Sequence, residues 1–331
     1  MTSFKPDILL TIKRGPYTER VHSGFITLVD KDLKTSVNIG NSKDNLILLR
    51  SCAKPFQALP LLSSGAFQKY NLNLKHLAVC CGSHSGSHEH TETVKDILTR
   101  INLDEKSLKC GIHPPLDKET RHDLIKNNLL PTELHNNCSG KHAGMLAVCK
   151  NNNWDIETYL DYNHPLQLEI LDLTKKLCLF SEETSGTLDG CGTPIYGFPL
   201  KNIGIGYLNL LNSTEGKFIT DAFIENPVLI GGKGRLDTEI IKASNGNLFA
   251  KVGAEGLCVV VNISKKQALV VKIIDGNMQT RSIVVTESLR QLGWLSEQDL
   301  NKEGISEHSD IIIKTWNGIP VSKAEINFSL N

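Results

Sequence analysis

The chain has 331 residues, 40% of them hydrophobic, and 36 basic side chains against 36 acidic ones. That length and composition suffice for a full hydrophobic core and exclude a disordered or collagen-like chain. Zero net charge argues against nucleic acid or an anionic membrane surface as partner, and 6% aromatic residues leave little for stacking on bases.

Residues 1–30 alternate charged and apolar side chains and lack the apolar core of a signal peptide. The longest apolar runs, such as 257–261, are strand-sized and far short of a membrane span. Nine cysteines, an odd number, are scattered without the spacing of a small disulfide domain. Reduced thiols in the cytoplasm are the expectation, with metal ligation open to some of them.

In chain order, residues 7–13 read as a strand, and 25–29 and 35–39 flank a hairpin turn at Asp30-Lys31-Asp32. A short apolar run at 45–49 ends at Arg50-Ser51. Residues 91–101, 139–150, 165–179 and 214–224 carry apolar side chains at helical spacing. His164-Pro165 sets a proline at a helix start, and Ser139 reads as the N-cap of the segment after it. Strands return at 256–263 and 268–274 around a polar turn, a helix is expected at 281–292, and 310–315 and 321–330 read as two final strands. The predicted class is α+β: one antiparallel sheet built from both chain ends, about 1–50 and 248–331, with a mostly helical lobe, about 51–247, inserted in one domain.

Four stretches carry possible chemistry. In Arg50-Ser51-Cys52-Ala53-Lys54-Pro55, Ser51 and Lys54 stand three apart where a strand meets a helix, so a Lys of lowered pKa could activate a Ser. The alternative is a solvated helix start. Lys272 interrupts the apolar strand 268–274 and shares a face with Val270 and Ile274; it is either held near a reaction centre or an edge residue facing water. The loop from Cys80 to His90 offers hydroxyls and imidazoles, or simply caps a helix. The segment from His135 to His142 supplies Cys138 and two His within eight residues, and with Cys191 in Asp189-Gly190-Cys191-Gly192-Thr193-Pro194 it could complete a zinc site from two segments; the alternative is two buried thiols in tight Gly turns. Gly231-Gly232-Lys233-Gly234 lacks the ending of a phosphate loop, and Gly204-Ile205-Gly206 lacks the third glycine of a dinucleotide fingerprint, so no nucleotide cofactor is expected.

Taken in order, Arg50-Ser51-Cys52-Ala53-Lys54-Pro55-Phe56-Gln57, Ser83-His84-Ser85-Gly86, Asn137-Cys138-Ser139-Gly140-Lys141-His142-Ala143-Gly144, Asp189-Gly190-Cys191-Gly192-Thr193-Pro194, residues 231–238 and Lys251-Val252-Gly253-Ala254-Glu255-Gly256 resemble the rhizobial-type L-asparaginases, the asparaginase II family. The resemblance spans nearly the whole chain. It implies a fold similar to serine β-lactamases and class A glutaminases, hydrolysis of L-asparagine to L-aspartate and ammonia, and a homodimer. It further implies two Ser-Lys pairs, Ser51 with Lys54 and Ser83 with Lys272; the sequence does not decide which serine is acylated, and Ser51 is favoured because Lys54 is its local partner. Cys138, Lys141 and Cys191 match zinc ligands, Asp189 lies near the metal-bound water, and Arg50, His142 and Cys258 match pocket positions. Ser87 departs from the pattern, where an acidic residue is more usual. Glutamine hydrolysis and a zinc-stabilised binding protein without catalysis are the rival readings. A peptidoglycan-directed relative is disfavoured by the absence of Lys-Thr-Gly and Ser-Asp-Asn motifs.

Overall fold

The computed structural model describes residues 4–41, 45–309 and 312–330. Its strands are β1 (Asp7–Arg14), β2 (Tyr17–Val29), β3 (Thr35–Ile39), β4 (Ile47–Leu48), β5 (Thr187–Leu188), β6 (Pro194–Ile195), β7 (Gly197–Phe198), β8 (Leu248–Val252), β9 (Leu257–Asn262), β10 (Gln267–Ile273) and β11 (Ser322–Ile326). Seven of them form one antiparallel sheet in the order β11-β1-β2-β10-β9-β8, with β3 also paired to β2. The two chain ends meet directly in that sheet, Leu10 opposite Ile326, as the sequence pattern predicts. The β2–β3 turn forms because the Asp30 carboxylate accepts the amides of Asp32 and Lys34, an Asx-type turn.

Between the two halves of the sheet run α1 (Lys54–Gln57), α2 (Leu59–Ser63), α3 (Ala66–Lys69), α4 (Leu74–Cys81), α5 (His88–Arg100), α6 (Lys118–Lys126), α7 (Ser139–Asn152), α8 (Pro165–Leu177), α9 (Leu200–Leu211), α10 (Thr214–Glu225), α11 (Pro227–Ile230) and α12 (Leu236–Ala243). After β10 come α13 (Met278–Gln291) and α14 (Glu297–Leu300). Strand alternation divides the core in two. Leu257, Val259 and Val261 of β9 join the cluster under the inserted helices, whereas Cys258 and Val260 join the one under α12 and α13. On β8, Phe249 belongs to the first cluster and Leu248, Ala250 and Val252 to the second, so Lys251 projects on the same side as Phe249. Helix α9 crosses the sheet closely: a Cβ on Gly204 would lie 2.7 Å from Val29 Cγ2, which accounts for that glycine by packing.

Two expectations are corrected. Ser139 is the first residue of α7 and not its cap; Cys138 takes the cap position, and the Ser139 hydroxyl donates to Leu134 O. Of the two final strands, β11 forms. Residues 310 and 311 lie outside the described residues, and 312–315 form no strand; they fold back through the isolated bridge Lys314–Pro320 and the Val321 amide on Ile313 O, because the chain turns at Thr315 and Gly318. Among the described residues, no helix is long and apolar enough to cross a membrane. All nine cysteines are free and buried.

Candidate functional site

The turn from β4 into the helical lobe is strained: Arg50 sits at φ +45°, in the left-handed region that side chains seldom adopt. A 3-10 turn, Arg50–Ala53, then runs into α1, where Pro55 is accommodated in the first turn. This geometry sends Lys54 inward, to 1% exposure. A buried amine must find acceptors. The Lys54 amine donates to Gly82 O at 2.6 Å and Asn137 O at 2.9 Å, and its third neighbour is Ser83 Oγ at 3.1 Å. The expected Ser51–Lys54 pair is therefore not formed. Ser51 is half-buried and, among the described residues, its hydroxyl has no hydrogen-bond partner, while Lys54 has turned to the interior carbonyls.

Ser83 leaves the C-terminal end of α4, where Gly82 permits close approach: a Cβ there would meet Leu229 O at 2.5 Å. The Ser83 amide donates to Ile230 O at 2.7 Å, which fixes the backbone. Its hydroxyl also receives the Lys251 amine at 3.0 Å. Lys251 is fully buried and donates to Val252 O at 3.0 Å as well. The second expected pair, Ser83 with Lys272, is corrected accordingly. Lys272 does lie on the helical-lobe side of the sheet, but its amine is taken by Glu255 O and Ile273 O. Register gives the reason: Lys251 on β8 is opposite Val259, and Lys272 on β10 is opposite Leu257, at the strand end. Those flanking strands are separated by two interstrand spacings, about 10 Å. Lys251 was missed although its signal matched that of Lys272, one lysine inside an apolar strand.

The loop after Ser83 is braced by imidazoles. His84 Nδ1 accepts the Gly86 amide at 3.2 Å, so Nε2 carries the proton and donates to Ser139 Oγ at 2.9 Å. His84 stacks on His90, centroids 4.9 Å apart. Ser87, the residue that departs from the usual acidic one, bonds His90 Nδ1 at 2.5 Å instead of capping α5.

A second polar cluster lies beside Lys54. The turn 189–193 closes through Asp189 N to Thr193 O and Gly192 N to Asp189 O, bringing Asp189, Cys191 and Thr193 together. Lys141 on α7 donates to Cys191 Sγ at 3.0 Å and Thr193 Oγ1 at 2.9 Å. A hydrogen bond from Cys138 leads in holding the Cys191 thiol far below the ordinary thiol range; burial opposes it and the Lys141 charge assists. The same interaction, with burial, pushes Cys138 up, and the Cys138 thiol also donates to Asn137 Oδ1 at 3.2 Å. Burial works against charge on Lys141, but Cys191 and Cys138 outweigh it and its pKa is raised. His142 is buried between Tyr159 OH at 2.7 Å and Thr193 Oγ1 at 3.3 Å, and desolvation lowers it to about 4. Among the described residues no three His, Cys, Asp or Glu side chains gather as a metal site. Cys138, Cys191 and Lys141 nonetheless supply two sulfurs and an amine, a donor set that suits a borderline-soft ion with one position left open.

Arg50 Nε donates to Asp189 Oδ1 at 2.8 Å, and Arg50 NH1 lies 3.9 Å from Glu255 Oε1. Glu255 was not anticipated, though it stands in the Lys251-to-Gly256 motif. The expected pocket role of Cys258 is corrected: strand alternation turns it to the far side of the sheet, fully buried in the second apolar cluster. A cavity of about 880 Å³ opens beside the 189–193 turn, against Trp154, Tyr162, Leu188 and Gly192; its lining includes neither Ser83 nor the two lysines.

For Lys54, burial is the largest influence and lowers its pKa, with the Cys138 thiol opposing and the Lys251 and Lys141 charges assisting. A neutral amine has two hydrogens and one lone pair. As an ammonium Lys54 donates its three hydrogens to Gly82 O, Asn137 O and Ser83 Oγ; in the neutral form, with both hydrogens kept on the carbonyls, its lone pair would face the Ser83 hydroxyl.

A family model described as L-asparaginase II matches residues 10–326. Comparison with curated proteins finds no match. Among solved structures, a beta-lactamase from Mycobacterium bovis is similar at 11% identity and a TM-score of 0.40, the match covering 82% of this chain and 95% of that one.

Proposed function

The chain belongs to the L-asparaginase II family, an asparaginase-type amidohydrolase, and from that premise we propose that it hydrolyses the side-chain amide of L-asparagine, with Ser83 as the acylated serine. The observation that carries this reading is Ser83 Oγ standing 3.1 Å from the Lys54 amine and 3.0 Å from the Lys251 amine.

In the proposed reaction neutral Lys54 takes the Ser83 proton as Oγ bonds to the amide carbon. Lys251, paired with a buried carboxylate, places positive charge beside the developing alkoxide. Lys54 then returns the proton to the amide nitrogen, the C–N bond breaks, and ammonia leaves. Water attacks the acyl carbon, Lys54 accepts its proton, and Oγ recovers one as aspartate departs. Arg50, flanked by Asp189 and Glu255, offers one cationic and two anionic groups, which suits a substrate carrying both an α-carboxylate and an α-ammonium.

Cys138, Lys141 and Cys191 would hold zinc, which when bound supplies a Lewis-acid centre for orienting the substrate's charged end. Lys141 would have to yield its proton to serve as ligand. Loss of zinc on Cys191→Ala is the expected result, and full retention would remove those ligands. A homodimer is carried forward from the family resemblance.

The test is ammonia release from asparagine and glutamine by Ser83→Ala and Ser51→Ala proteins. We expect Ser83→Ala to lose about 10³-fold or more in kcat, the scale seen when a nucleophile is removed, and Ser51→Ala to lose far less. Near-normal turnover by Ser83→Ala would end the reading; glutamine turned over faster than asparagine would change the substrate.

A further inference from the structure

Lys251 is held from behind. Asp237, in the first turn of α12, is fully buried, and its Oδ2 lies 3.6 Å from the Lys251 amine. The same Oδ2 accepts the amide of Val252 at 3.3 Å, while Oδ1 accepts that of Thr238 at 3.2 Å. One carboxylate therefore fixes both the backbone next to Lys251 and the amine itself. The remaining partners of that amine are Val252 O and Ser83 Oγ, each at 3.0 Å.

The surroundings make this carboxylate hard to replace. Arg281 on α13 is also buried, donates to Gly253 O at 3.1 Å, and feels the Asp237 charge, as it does that of Arg235. The neighbouring thiols are desolvated: burial pushes Cys52 up to about 12 and raises Cys258 likewise, so neither supplies negative charge. Burying a Lys–Asp pair at zero exposure is no bargain for stability, since apolar residues of equal volume hold a core as well or better. The pair is explained by what the amine touches.

We infer that Asp237 is a positioning residue, whose carboxylate holds the Lys251 amine against Ser83 and maintains the charge beside that hydroxyl. The inference rests on the reading of Ser83 as the reactive serine. Without the carboxylate, the amine keeps a backbone carbonyl and a hydroxyl but loses its counter-ion, and its best alternative is to turn away from Ser83.

The experiment compares full-length wild type, Asp237→Asn, Lys251→Met, the double variant and Ser83→Ala. Readouts are kcat and KM for asparagine, the rate of Ser83 labelling by a fluorophosphonate followed by intact mass, and thermal unfolding. For Asp237→Asn we expect kcat and labelling to fall at least about tenfold with KM within about threefold, and little further fall when it is added to Lys251→Met, because groups acting as a unit are non-additive. Wild-type kcat in Asp237→Asn, or the same fractional loss on both backgrounds, overturns the inference. If Asp237→Asn fails to fold, Asp237→Ser with Lys251 kept decides: folded and labelled at least about tenfold more slowly supports the inference, folded and labelled at the wild-type rate overturns it. Turnover by Ser83→Ala would instead remove the underlying reading, an outcome separate from both.

Discussion

Lys251 Nζ lies 3.0 Å from Ser83 Oγ across 168 residues of chain, joining the late sheet to the loop after α4. The contact separates two lysines that look alike in sequence. Replacing Lys251 by Met is expected to lower kcat by about 100-fold or more, the scale of losing one charge-stabilising donor. Replacing Lys272 by Met is expected to stay within a few fold, since among the described residues its amine hydrogen-bonds only the Glu255 and Ile273 carbonyls. Ammonia release by the two purified variants checks this, and equal losses would contradict the assignment.

The same pair marks how far the sequence could be read. Strand alternation, the hairpin turns and the helical spacing lay in local pattern, so the sheet from both termini and most helices were legible. Ser83, Lys54, Cys138, Lys141 and Cys191 were legible as motif members. Partner choice was not. Whether Lys54 reaches Ser51 or Ser83 depends on where the Gly82 and Asn137 carbonyls lie. Whether Lys251 or Lys272 reaches Ser83 depends on strand order and register, which alternation along one strand does not encode. Cys258 failed for a related reason, because a motif match does not say which side of the sheet a side chain takes.

Gly140, inside the Cys138-to-Gly144 motif, is explained by helix contact. A Cβ at this position would lie 2.3 Å from Val79 O, a backbone atom that cannot step aside, where α7 crosses α4. Gly140→Ala is therefore expected to destabilise by about 2 kcal/mol despite alanine's better helix propensity, as overpacking does. Urea unfolding measures it; a stabilised variant would mean that the two helices separate freely.

The stacked imidazoles make the fold acid-sensitive. Burial lowers His84 well below its ordinary value, with the His90, Lys54, His113 and His135 charges adding to it. Burial also lowers His90, opposed by the Val228 carbonyl and by Glu89 and Asp117. Both bind fewer protons folded than unfolded below pH 6.5. Their contribution is thus complete above 6.5 and is lost as pH falls from there toward the depressed folded values. Each contributes a slope of at most about 1.4 kcal/mol per pH unit in that window. Urea midpoints at pH 7.5 and 5.0 should differ in wild type and differ less in His84→Gln with His90→Gln; an unchanged difference would place the acid sensitivity elsewhere.

Arg50 gives a prediction about binding rather than chemistry. Its guanidinium is held by Asp189 at 2.8 Å on one side and approached by Glu255 at 3.9 Å on the other, and its backbone is strained at φ +45°. A planar fork can meet Asp189 through Nε and still present NH groups to a substrate carboxylate; an ammonium at the end of a flexible stem cannot do both. Arg50→Lys is therefore expected to raise KM for asparagine by about tenfold or more with a smaller change in kcat, the pattern of lost uniform binding. A substrate analogue lacking the α-carboxylate should be hydrolysed equally poorly by wild type and variant, because the analogue has no carboxylate for residue 50 to hold. If the variant instead loses kcat at unchanged KM, Arg50 acts at the reacting amide, and the roles given to Asp189 and Glu255 fall with it.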